Sequence, residues 1–222
     1  MPRKETCIYC GLRPGLTDDH VPPQAFFEKP CPNVQRITVP SCELCQNKYQ
    51  KIDAFARNYI ASLLETESTS YVRKHIANRV IRSIKHARWE FRRLLAITKL
   101  IPVTVLTSSG IVNGFLPAFD AKIPEMNSFF ERVARAMLYE TFRKGFFVGR
   151  VQWRSLDYIL NHFPDSTGDL LRQSFRNQGE RRSVLDVFEC ETSPRLSAGT
   201  YFIRVIFYKA KTFILRVQEI QA

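Results

Sequence analysis

Two cysteine pairs near the start of the chain, Cys7/Cys10 and Cys42/Cys45, limit what it can fold into more than any other feature. Each pair has the C-x2-C spacing, and residues 11–41 lie between them. Two such knuckles bring four thiolates to one point, which is the donor type and number of a closed tetrahedral zinc site. A closed tetrahedron leaves no position for a substrate, so the expected Zn2+ is structural. A redox pair is the competing use of this spacing, but it does not call for a second matched knuckle. Cys31 and Cys190 have no such neighbour and are expected as reduced thiols. The opening residues MPRKETC carry charge with no apolar stretch behind them, so no secretory leader is expected. The expected compartment is the cytoplasm, where paired cysteines hold metal more often than they form disulfides.

The knuckles frame a compact N-terminal unit, residues 1–56. A turn through Arg13-Pro14-Gly15 leads to the short run Leu16–Val21, which Pro22-Pro23 stops. After a loop, Arg36–Val39 is β-prone, and Pro40-Ser41 introduces the second knuckle. No Pro or Gly follows until Pro102, so a helix can begin at Cys42–Cys45. The expected order is strand, loop, strand, helix.

Residues 57–222 form the expected second unit, of mixed helix and strand. Val72, Ile76, Val80 and Ile84 step by four, and Phe91 and Leu95 extend the stripe, predicting a helix over 70–100 capped by Thr69 or Ser70. Val103–Leu106 and Ile111–Phe115 flank Thr107–Gly110 as a hairpin. A second amphipathic helix is expected over 125–144, closed by Gly145. Residues 146–153 are β-prone, and 154–180 are expected to be helical and mixed, with a break near Pro164. Tyr201–Tyr208 and Thr212–Val217 should pair across Lys209–Lys211. The fold class is therefore α+β.

Charge narrows the partners. Lys and Arg number 33 against 21 Asp and Glu, a formal net charge of +12. The summed field of such a surplus attracts polyanions, of which nucleic acid is the commonest. The helix over 70–100 carries Arg82, Lys85, Arg92 and Arg93 roughly on one side, the best candidate for phosphate contact. Lys48 and Lys51 are further candidates, and a solvated surface is the plainer use of all six. No run of 18 apolar residues exists, so no membrane span is expected.

The segments CIYCG, DDHVPP and ITVPSCELCQN together resemble the zinc-stapled branch of the HNH, or ββα-metal, endonucleases. The specific match covers about the first 55 residues and is similar to stand-alone bacterial proteins of that family. The resemblance implies a small ββα-metal module with a four-cysteine zinc site at Cys7, Cys10, Cys42 and Cys45. It makes His20 the general base that activates water, and Asp19 a ligand of one catalytic Mg2+ or Mn2+. The second ligand in the family is an Asn or His directly after the last cysteine. Here that residue is Gln46, with Asn47 next, so either could take the role. Asp18 is read as a solvated neighbour.

The function expected from this resemblance is metal-dependent hydrolysis of phosphodiester bonds, in DNA rather than RNA. Ends with 5′-phosphate and 3′-hydroxyl are implied, as is a role in phage defence or mobile elements. The alternative is a zinc-stapled module, inactive or nearly so, that binds nucleic acid or serves as an interaction subunit. A regulatory partner protein and a homo-oligomer are both left open.

Overall fold

The computed structural model describes residues 5–86, 98–107, 110–119, 123–143, 149–176, 180–196 and 199–219. It is a mixed α+β fold with a four-cysteine cluster near its N-terminus.

The first elements follow the expected order. Strand β1 (Thr17–Val21) pairs antiparallel with β2 (Ile37–Ser41), and helix α1 (Glu43–Ala61) follows at once. Cys42 is the last extended residue before α1, so the second knuckle straddles the helix start. The expected boundary at residue 56 falls inside α1, which continues to Ala61.

Beyond α1 come the short α2 (Leu64–Glu67), a π-helical turn at Val72–Ile76 and α3 (Ala77–His86). The Thr69 hydroxyl accepts from the Val72 N–H at 3.4 Å, the expected cap. Val72, Ile76 and Val80 are buried, as their spacing requires. The expected helix does not reach residue 100, because β3 (Thr98–Thr107) has begun by Thr98. The stretch 87–97, with Arg92 and Arg93, lies outside the described residues. Strand β3 pairs with β4 (Gly110–Phe119) as the expected hairpin, longer than its apolar core suggested.

Helix α4 (Pro124–Phe142) starts on a proline, whose missing N–H is an orphan at that position anyway. It closes on Arg143, which is left-handed at φ 48° and donates its N–H to the Tyr139 carbonyl. The cap is therefore Arg143 and not the expected Gly145, which lies outside the described residues.

The rest is a five-stranded antiparallel sheet in the order β5-β9-β8-β7-β6. Its strands are β5 (Gly149–Ser155), β6 (Glu180–Val184), β7 (Phe188–Thr192), β8 (Thr200–Phe207) and β9 (Lys211–Glu219). Helices α5 (Leu156–His162) and α6 (Asp165–Arg176) separate β5 from β6 and break at Pro164 as expected. The closing hairpin β8–β9 turns through Tyr208 and Lys209, both with positive φ.

Helix α4 lies between this sheet and the N-terminal strands and helix. Phe129 and Phe130 are fully buried on it. Phe129 stacks on Phe26, from the short 3-10 helix Gln24–Phe26 after β1, and Phe130 packs against Trp153 and Phe213 of the sheet. Buried side chains from Cys7 to Val217 thus form one continuous core. Fully burying each such ring contributes about 1.5–3 kcal/mol, so the packing around α4 binds the two expected units together. No helix among the described residues is long and apolar enough to cross a membrane.

Candidate functional site

The four knuckle cysteines meet. Their sulfur atoms all lie within 4.8 Å of one another, and the Cys10 and Cys42 sulfurs are 3.9 Å apart. A tetrahedron of Zn–S bonds of about 2.3 Å has S···S edges of about 3.8 Å, so the cluster has the size of such a site. Local hydrogen bonds build it. The Gly11 N–H donates to Cys7 O, and the Cys7 N–H to Arg13 O, both at 2.8 Å. The Ile8 N–H donates to Pro40 O and fastens the first knuckle to β2.

Thiol protons are unevenly held in this cluster. Burial opposes ionisation at Cys10, but N–H donors of Leu12 and Arg13 and the neighbouring thiols outweigh it and bring its pKa to about 7. Burial, with Cys42 and Cys7 alongside, pushes the Cys45 thiol well up. Crowded thiols cannot all ionise alone; a divalent cation is what makes four thiolates stable together. The four cysteines can hold a structural metal such as zinc.

His20 and Asp19 sit side by side on β1 and face opposite ways, as strand alternation requires. His20 is half-buried on the outer face, directly across from Thr38 of β2. Its Nδ1 lies 3.1 Å from the Thr38 hydroxyl oxygen, and that hydroxyl donates to Arg36 O. With its own proton so directed, Thr38 accepts the Nδ1–H, which leaves the Nε2 lone pair available. Burial and the Arg36 charge lower the His20 pKa against the opposing pull of Asp19 and Asp18. The imidazole is therefore neutral near pH 7, the form a base needs.

Asp19 points inward and is only 5% exposed. Its Oδ2 accepts from Arg132 Nε at 2.8 Å and from the Tyr9 hydroxyl at 2.5 Å. Its Oδ1 accepts from Arg132 Nη2. Arg132, on the inner face of α4, also donates Nη1 to Asp53 of α1, and its guanidinium lies over the Tyr49 ring. Burial alone would lower the Arg132 pKa, but Asp53 and Asp19 overcome it and hold the guanidinium charged.

The expectation that Asp19 holds a catalytic Mg2+ or Mn2+ therefore does not fit these residues. Its carboxylate already has a full positive charge bound bidentately, plus a phenol. The expected helix ligands do not complete such a site either. Gln46 Nε2 donates to the backbone oxygen of Asp18 at 3.3 Å, and Asn47 is exposed. Asp18, not Asp19, shares the outer face with His20.

No protein-family model matches this chain, and no curated protein or solved structure matches it.

Of the expected phosphate-contact residues, Lys48, Lys51, Arg82 and Lys85 are exposed. Arg92 and Arg93 lie outside the described residues. Sequence reasoning missed Tyr9, Arg36, Asp53 and Arg132. Arg132 and Asp53 left a signal, because each is a charge on the stripe its helix buries: Arg132 between Phe129 and Val133, Asp53 between Tyr49 and Ala56. Charges at such positions are rarely buried without a partner.

Proposed function

We propose that this chain hydrolyses phosphodiester bonds in DNA, with His20 as general base on a ββα unit stapled by Zn2+ at Cys7, Cys10, Cys42 and Cys45. The observation that carries the reading is the state of His20. Its Nδ1 lies 3.1 Å from the Thr38 hydroxyl, burial and the Arg36 charge lower its pKa, and it sits on the outer face of a strand pair that a helix follows. The resemblance of the DDHVPP and PSCELCQ segments to HNH endonucleases supports the same role. Nε2 removes a proton from water as the water oxygen bonds to phosphorus. The P–O bond to the leaving sugar breaks, and the leaving oxygen takes a proton from solvent. Asp19, held by Arg132 and Tyr9, does not fit Mg2+ or Mn2+. The surplus of positive charge, with Lys48, Lys51, Arg82 and Lys85 at the surface, favours a polyanionic substrate.

The test is nicking of supercoiled plasmid by purified wild-type and His20→Ala protein, with and without added Mg2+ or Mn2+. The substitution should slow nicking by on the order of 10²–10⁴ and leave zinc content and DNA affinity unchanged. Equal rates would remove His20 from the chemistry. One observation favours a second reading, a DNA-binding module without cleavage: Arg132 clamps the acid that the family uses for its metal. Tight DNA binding with no nicking under any condition would establish that reading instead.

A further inference from the structure

We propose that the positive charge facing the scissile phosphate at His20 is the guanidinium of Arg36, and that no divalent cation takes part. This rests on the reading of His20 as general base.

Two independent observations lead to it. The first is the inventory around Asp19. An ionised carboxylate offers about four lone-pair positions. Three are filled here, by Arg132 Nε, Arg132 Nη2 and Tyr9 OH. An ion at the fourth would have to be buried beside the Arg132 charge, since Asp19 is 5% and Arg132 2% exposed, and displacing Arg132 is no alternative. A buried guanidinium stripped of its bidentate partner is among the more destabilising arrangements a core can hold. Arg132 is thus the permanent cation of Asp19, on the side of β1 away from His20.

The second observation is Arg36. It immediately precedes β2 and stands two residues before Thr38, the cross-strand partner of His20. Residues two apart on an extended chain share a face, and a diagonal cross-strand neighbour lies about 7–8 Å away, within reach of a long side chain. The charge of Arg36 is felt at His20, where it is the strongest electrostatic influence. Its Nε and Nη1 are buried, with no hydrogen-bond partner among the described residues. The guanidinium carbon sits 5.7 Å from the centroid of the Phe27 ring, so an aromatic contact helps to hold it in place. Donors buried in this way are closed to a DNA phosphate, so the guanidinium acts at His20 as a fixed charge through space.

In the step, the water oxygen forms its bond to phosphorus and its proton passes to His20 Nε2. Negative charge grows on the non-bridging oxygens, within the field of Arg36. The P–O bond to the sugar breaks, and the leaving oxygen is protonated by solvent. Arg36 supplies a fixed charge where charge develops, which needs no reorganisation during the reaction.

The experiment uses the full chain with its zinc content verified. Plasmid nicking by wild type, Arg36→Gln and Arg36→Lys is followed in divalent-depleted buffer and with added Mg2+ or Mn2+. Electron paramagnetic resonance of Mn2+ is recorded with wild-type protein. The wild-type rate should not depend on added metal, and the protein should leave the spectrum of free Mn2+ unchanged. Arg36→Gln should slow nicking by on the order of 10²–10³, and Arg36→Lys should recover part of the loss. A requirement for added metal overturns the proposal, whatever Arg36→Gln does. So does an Arg36→Gln rate equal to wild type. If no form nicks under any condition, the hydrolase reading fails separately. Fluorescence anisotropy on a labelled DNA duplex then decides on Arg36. Loss of one charge that neutralises a phosphate should reduce the log–log salt slope by about 0.9, and an unchanged slope overturns the assignment.

Discussion

One guanidinium between two carboxylates leaves one negative charge too many, and in a buried site that excess has to go somewhere. Arg132 gives Asp19 two of its donors and Asp53 one. The weaker hold falls on Asp53, and burial, against the pull of Arg132, raises its pKa to about 7. An acid whose pKa is raised in the folded state binds its proton more tightly there than in the unfolded chain. Its contribution to stability is complete below the unfolded value, near pH 4, and is lost as pH rises through about 7. A tenfold difference in proton affinity between the two states corresponds to about 1.4 kcal/mol, so this one group can make stability fall by a few kcal/mol over that window. Asp53→Asn keeps an acceptor for Arg132 and removes the titration. Urea denaturation from pH 5 to 8 should show a falling stability in wild type and a flatter profile in Asp53→Asn. Identical profiles would mean that Asp53 is ionised throughout.

The pairing of strands β1 and β2 and the first knuckle depend on one close approach. Gly15 donates its N–H to Glu5 O at 2.9 Å, and a Cβ placed on it would lie 2.6 Å from Pro40 Cβ and 3.2 Å from Glu5 O. Pro40 is cross-strand to Asp18, and its carbonyl holds the Ile8 N–H. An alanine at position 15 would therefore push β2 away from the knuckle. Gly15→Ala should lower stability by about 1–3 kcal/mol and weaken metal retention, read by chemical denaturation and by zinc release to a chromogenic chelator. Full stability with unchanged zinc release would show that Pro40 can move aside. The elements themselves were largely legible, because strand alternation, apolar stripes and proline stops act over a few residues. Where the reading failed, a longer-range preference decided. The stripe over 70–100 continued on paper, but by Thr98 the chain had already entered the β3–β4 ladder. Helix α4 closed at Arg143, ahead of the glycine that propensity favours.

At the scale of the molecule, the cysteine cluster and the central helix are connected. Arg132 binds Asp19 in β1, Arg135 donates to Tyr9 O in the first knuckle, and Tyr139 donates to Glu5. The opposite side of α4 packs on the sheet through Phe130, Trp153 and Phe213. Metal binding at such a site is folding energy, because the unfolded chain has no preformed site. Loss of the metal should then reach the sheet through α4 and not stop at the knuckles. Cys42→Ser should abolish stoichiometric zinc, and scanning calorimetry should show one transition at lower temperature rather than loss of a separate small one. A zinc-free protein with the wild-type transition would refute both the metal and its coupling to the core.

The sequence by itself determined the local pieces: two knuckles at matched spacing, a strand on which Asp19 and His20 must face opposite ways, a helix starting at the second knuckle and a closing hairpin. Each follows from backbone geometry and side-chain periodicity within a short window. Tertiary structure alone decided which face of β1 is the interior, and that choice separates His20 from Asp19 in role. The partner that claims Asp19 comes from 113 residues away. Nothing local can announce it, because the pairing of a buried charge is set by which helix face packs against which strand. Alternation told that the two side chains part; only the packing of α4 told that Asp19 meets a guanidinium while His20 keeps the open side.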